Sequence, residues 1–186
     1  MTFAIVPVEN QEQIARVASL AREIWEEFYV PLIGRAQVDY MVERFQSTDA
    51  VRQHLESGYA YFLAQCGHRP IGYFAVKPGV EQNRLLISKF YLQKSNRGAG
   101  TGRACMEFIE QLARRRGLAV LWLTVNKGNP SVKAYERLGF RVAADIVIDI
   151  GNGYVMDDYR MEKELSAAPD EAAPDPSNPS CTGDVD

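Results

Sequence analysis

Residues 85–117 change character twice within a few positions, and this limits the fold more than any other feature of the chain. Leu85-Leu86-Ile87-Ser88-Lys89-Phe90-Tyr91-Leu92 is too apolar and too short for anything but a largely buried strand. Asn96-Arg97-Gly98-Ala99-Gly100-Thr101-Gly102-Arg103 follows at once. Beyond it Ala104, Cys105, Phe108, Ile109, Leu112 and Ala113 recur in pairs four apart, one face of a helix that Gly117 stops. A strand feeding a helix through a glycine-rich turn requires a sheet with helices packed on it.

The same turn carries chemistry. Glycines at alternate positions remove the β-carbons that would hold a ligand off the backbone. Amides at the start of a helix are donors without intrahelical partners, at the positive end of the helix dipole. Arg97 and Arg103 add charge at the two ends, so the segment reads as a phosphate cradle. It is not a Walker loop, because no Gly-Lys-Ser/Thr occurs. As a Rossmann turn it fits Gly98 and Gly100 but puts Arg103 where the third glycine belongs, and Asn126 where an acidic residue is expected. A tight turn without a ligand is the plain alternative; it leaves three glycines between two arginines unexplained.

Elsewhere, Phe3–Val8 reads as a strand, and Asn10 with Gln13 as a capping box. Ile14, Val17, Ala18, Ala21, Ile24, Trp25 and Phe28 form a helical stripe, ended by Pro31 and Gly34. A second helix from Ala36 turns Val38, Met41, Val42 and Phe45 inward, and a third follows Ser47-Thr48-Asp49. Tyr59–Gln65 and Pro70–Lys77 form a hairpin, and Pro78-Gly79 is the next turn. Leu118–Val125 is apolar almost throughout, as a strand covered on both faces must be. Asn129-Pro130 opens a helix that Gly139 closes. Phe140–Ile150 and Tyr154–Glu162 meet at Gly151-Asn152-Gly153, a strong hairpin signal.

Residues 166–186 hold four prolines, five acids and no base, and are expected to be a disordered acidic Pro/Ala-rich tail after a domain spanning 1–165. The formal charge of −3 leaves 21 bases against 19 acids, +2, on residues 1–165, which argues for neither nucleic acid nor a membrane surface. Cys66, Cys105 and Cys181 are too few and too scattered for a disulfide frame or a zinc site, so no metal is expected. No signal peptide or membrane span stands out, and a cytoplasmic location is the expectation.

The pattern Arg97-x-x-Gly100-x-Gly102, the strand Leu118–Val125, and Asn129…Tyr135 closing on Leu138-Gly139-Phe140 resemble the GCN5-related N-acetyltransferases (GNAT). The resemblance is most specific over 85–140 and extends loosely to 1–165. It implies an α/β (α+β) fold: a mixed, mostly antiparallel sheet of about seven strands flanked by helices, with a parallel pair at 85–92/118–125. It further implies acetyl-coenzyme A as cofactor, its pyrophosphate on the amides of Arg97, Gly98, Ala99, Gly100, Thr101, Gly102 and Arg103. The pantetheine arm would pair with backbone around Phe90, Tyr91 and Leu92 where the parallel strands splay, one amide there binding the thioester oxygen. Asn126 and Asn129 would contact the arm, and Tyr135 would face the sulfur as general acid. Asn129 is equally a helix cap, and Tyr135 shares an apolar face with Val132 and Leu138.

Acyl transfer to an amine also needs a base, since an ammonium near pKa 10 has no lone pair. Many members of the family that the chain resembles carry a glutamate at the position of Ser88. Three substitutes are open: Glu26 or Glu27 from the first helix, Asp157 or Asp158 from the last hairpin, or a chain of water. Glu27 is preferred, with Glu26, Tyr29 and Tyr40 around the acceptor. The stretch Ile24–Gly34 resembles a bacterial branch that includes polyamine acetyltransferases; acids and aromatic rings suit a cationic amine. With no cysteine at a nucleophile position, direct transfer in a ternary complex to a small-molecule or peptide amine is expected. The alternatives are a coenzyme A-binding or sensing module without turnover, and a nucleotide-binding oxidoreductase. Sheet edges and the final hairpin could support a homodimer; the sequence does not decide it.

Overall fold

A computed structural model describes residues 2–79 and 83–166. The expected tail, 166–186, lies outside them but for its first residue. Seven strands form one sheet in the order β1-β2-β3-β4-β5-β7-β6. They are β1 (Phe3–Pro7), β2 (Ala60–Cys66), β3 (Arg69–Gly79), β4 (Arg84–Leu92), β5 (Val120–Asn126), β6 (Arg141–Gly151) and β7 (Tyr154–Glu164). The helices are α1 (Gln11–Ile33), α2 (Arg35–Gln46), α3 (Thr48–Glu56), α4 (Thr101–Arg115) and α5 (Ser131–Arg137). The expected parallel pair is β4–β5.

The chain folds as two compact units, the first made of residues up to 76 and 89–108. There β1, β2 and β3 pair antiparallel. Strand alternation sends Tyr61, Leu63, Tyr73 and Ala75 to one face, where they bury with Val17, Leu20, Ala21 and Ile24 of α1 and Val51 of α3. Phe62, Phe74 and Phe90 go to the other face, and Phe108 of α4 packs on the first two. The Asn10–Gln13 capping box forms as the sequence predicts.

In the second unit, residues 77–88 and 109 onward, β5 runs antiparallel to β7 and β7 to β6. Asn152 and Gly153 both take positive φ, 56° and 75°, the two-residue hairpin turn that the sequence announced. Arg84 and Arg160 both pair with Glu162, and the Arg160 guanidinium lies 5.0 Å over the Trp122 ring.

Some boundaries differ from expectation. Pro31 lies inside α1 rather than ending it: in the last turn its missing N–H costs one bond, and the Gly34 amide still reaches the Val30 carbonyl at 3.0 Å. Pro78 and Gly79 continue β3 instead of turning, since the fixed φ of proline is extended enough for a strand end. Leu118 and Ala119 precede β5. On α2 it is Gln46, bonded by the Tyr73 hydroxyl at 3.2 Å, that is buried, while Phe45 is only half-buried.

Candidate active site

The glycine turn has the form of a ligand cradle. Gly98 and Gly100 take φ of 83° and 86°, a backbone that side-chain-bearing residues rarely adopt. A β-carbon added at Gly98 would meet nothing within 4 Å, so the space beside that residue is open. From Gly98 through Arg103, no amide donates to an acceptor among the described residues. Ala104 is the first to bond within the chain, to the Gly100 carbonyl at 3.0 Å. The start of the 15-residue α4 thus presents a row of unsatisfied donors, which fits a diphosphate. Arg97 is partly engaged: its Nε donates to the Leu92 carbonyl at 2.9 Å, and its guanidinium lies 4.7 Å over the Phe28 ring of α1.

The end of β4 is fixed by a close approach that the sequence reading missed. A β-carbon on Gly72 of β3 would come within 2.3 Å of Leu92 Cδ2 and 2.6 Å of the Tyr91 carbonyl oxygen. Only glycine lets β3 lie that close to Tyr91 and Leu92, whose backbone is expected to hold the cofactor arm. A lone glycine inside a strand pattern was the available signal. Tyr91 then joins an aromatic wall: its ring is 5.2 Å from Tyr73 and 5.7 Å from Trp25, and Trp25 stacks on Tyr29 at 4.4 Å.

A groove of about 440 Å³ is lined by Glu23, Glu27, Arg69, Gln93, Lys94 and Ser95. Gln93 is buried, and its Nε2 donates to Glu23 at 2.6 Å, tying α1 to the end of β4. The structure therefore brings Glu27, with Glu23 and Gln93, to one groove. It gives the other acceptor-side candidates different company. Glu26 pairs with Arg22 at 3.9 Å and Arg35 at 3.7 Å, and Tyr40 bonds Arg44 on α2. Lys89 is half-buried on the β4 face of Ile87 and Tyr91, where desolvation lowers its pKa to about 8.

In the second unit, Tyr135 packs edge-on to Phe140 at 5.8 Å and is half-buried. Asn129 is buried and its side chain accepts from the Ser131 amide at 2.8 Å, two residues on, while Pro130 rather than Asn129 stands at the N-cap of α5, without a side-chain cap bond. Asn126 is held at both ends of its amide, donating to the Asp157 carbonyl at 3.2 Å and accepting from the Gly128 amide at 3.0 Å. The parallel register joins only Arg84–Leu86 to Val120–Trp122, although β4 and β5 both continue. Cys105 is buried and burial pushes its thiol up to about 12, so it is packing rather than a nucleophile.

The family model for acetyltransferases (GNAT) matches residues 17–140. This chain belongs to the GNAT acetyltransferase family. The family takes its acetyl group from acetyl-coenzyme A, the ligand that the open cradle fits. A streptothricin acetyltransferase from Streptomyces lavendulae is 39% identical to this GNAT chain over 70 residues, 37% of each protein, so the match spans little more than a third of that relative. Among solved structures, the PaiA N-acetyltransferase of Thermoplasma acidophilum in complex with coenzyme A covers 89% of this chain and all of its own, at TM-score 0.73 and 18% identity. The ribosomal-protein-S18-alanine N-acetyltransferase of Escherichia coli covers 92% of this chain and 99% of its own, at TM-score 0.63 and 18% identity. These likenesses are of fold. No helix among the described residues is long and apolar enough to cross a membrane.

Proposed function

We propose that this GNAT acetyltransferase moves the acetyl group of acetyl-coenzyme A directly to a primary amine of a small, cationic, polyamine-like molecule or of a peptide. The observation that carries the reading is the run of unsatisfied amides from Gly98 to Arg103 around two left-handed glycines. When bound, the cofactor supplies an activated thioester carbonyl. Residues Arg97 to Arg103 hold its diphosphate, and an amide within Phe90–Leu92 polarises the thioester oxygen. Asn126 and Asn129 border the arm, and Tyr135 gives the leaving sulfur a proton. The groove holds Glu23 and Glu27 together with Arg69 and Lys94, and its two acids could receive an acceptor carrying positive charge. The streptothricin acetyltransferase relative adds support for a small-molecule acceptor.

The test is coenzyme A binding by calorimetry, followed by thiol release against polyamines, amino acids, peptide N-termini and aminoglycosides. Turnover on at least one cationic amine is expected. Tight cofactor binding with no thiol released on any amine would instead establish a sensing module, the outcome that Ser88 in place of a glutamate makes worth testing.

A further inference from the structure

The groove lined by Glu23, Glu27, Arg69, Gln93, Lys94 and Ser95 holds two acids and two bases, yet neither acid ion-pairs with either base among the described residues. A second groove, of about 350 Å³, shares Glu23, Arg69 and Gln93 with it. All these residues belong to the first unit, and both volumes suit a small molecule, for which sites run about 300–1,000 Å³. Gln93, common to both grooves, is buried at 8% exposure and uses only half of its amide. Its Nε2 donates to Glu23 at 2.6 Å, while its Oε1 accepts from nothing. A buried carbonyl oxygen without a donor costs the fold free energy, so it marks a place for a donor from outside the chain. Gln93 directly follows Leu92, and Ser95 stands three residues before Gly98, so along the chain the groove adjoins both stretches that hold the cofactor in the reading above.

We propose that this groove binds the amino-acid end of the acceptor, a molecule that carries an ammonium and a carboxylate there and is acetylated on a second amine. The inference rests on the acetyltransferase reading and narrows its acceptor to a diamino acid. An ammonium brings three donors, enough for Gln93 Oε1 and for Glu23 and Glu27, which stand one turn apart on α1. Arg69 and Lys94 remain for an anion, and a guanidinium matches a carboxylate with two parallel bonds. A simple polyamine has nothing to offer them. The ammonium between two carboxylates is held in its charged form and has no lone pair, so it is not the nitrogen that reacts. The second amine, once neutral, forms the new N–C bond as the C–S bond breaks. Of the two protons its ammonium form gives up, one goes to the departing sulfur and one to water.

Matched acceptors with and without the carboxylate test this: lysine against 1,5-diaminopentane, and ornithine against 1,4-diaminobutane. The diamino acid of each pair should have the higher kcat/KM by about ten-fold, carried mostly by KM. That is the low end for a bond between charged groups, because Arg69 and Lys94 are exposed. Calorimetry with coenzyme A present should show the same order of affinity, and added salt should shrink it. Mass spectrometry of the product should find the acetyl group on the side-chain nitrogen. Arg69→Ala, at an exposed side chain, should bring the ratio within each pair close to one, and Glu23→Gln should raise KM for both members. A parental ratio of one, no turnover of either diamino acid, or acetylation of the α-nitrogen would overturn the inference while turnover of any other amine left the acetyltransferase reading standing. So would an Arg69→Ala variant with weaker coenzyme A binding and an unmoved ratio, since the base would then serve a cofactor phosphate. A parent that binds coenzyme A but acetylates no amine would overturn both.

Discussion

Gly72→Ala isolates the contact that sets the end of β4. The new methyl would lie 2.3 Å from Leu92 Cδ2 and 2.6 Å from the Tyr91 carbonyl oxygen, where carbon contacts ordinarily settle at about 3.5–4.0 Å. The leucine branch can rotate away; the carbonyl belongs to the strand and moves only with it. Overpacking of this kind costs roughly 1–3 kcal/mol, offset by about 0.4–1 kcal/mol from stiffening the unfolded chain. Gly79→Ala on the same strand is the control, because its methyl would meet nothing closer than the Arg84 carbonyl at 3.5 Å, an ordinary contact. The unfolded-state gain is common to both variants, so their difference reports the contact, roughly 1–3 kcal/mol. At about 2–4 °C per kcal/mol for a domain of this size, thermal melts should separate them by several degrees. Calorimetry should then show weaker coenzyme A binding in Gly72→Ala alone, since Tyr91 and Leu92 must shift. Equal melting temperatures for the two variants would refute the reasoning.

Gly100→Asp should abolish coenzyme A binding in calorimetry, since it sets a carboxylate against phosphate and a side chain at φ 86°; retained affinity would move the diphosphate elsewhere. Tyr135→Phe should lower kcat with little change in cofactor affinity, and unchanged turnover would remove the general-acid role. Cys105, with its thiol pushed up to about 12, should resist alkylation in the native protein and react only after unfolding, as peptide mass mapping would show.

The parts of this protein that the sequence made legible depend on backbone chemistry local to a few residues. A capping box, an Asn-Gly hairpin turn and a glycine row before a helix each demand particular residue types at fixed spacing, so Asn10, Asn152 and Gly98–Gly102 could be read directly. Proline was over-read for the same local reason. It removes one donor, but whether that ends an element depends on the neighbouring bonds, and at Pro31 the next amides close the turn. Gly72 is not legible in this way, because its requirement comes from Tyr91 and Leu92, some twenty residues away in the chain.

The last hairpin shows where the limit lies. Strand alternation says that Asp157 and Asp158 face opposite ways, and the sequence carries that much. Which of the two turns inward is decided by what stands across the strands: Lys127 and Asp145 hold Asp157 outside, and Asn126 and Thr124 receive Asp158. Register between strands more than thirty residues apart is a property of the folded sheet, so a reading confined to spacing could name both aspartates and choose neither.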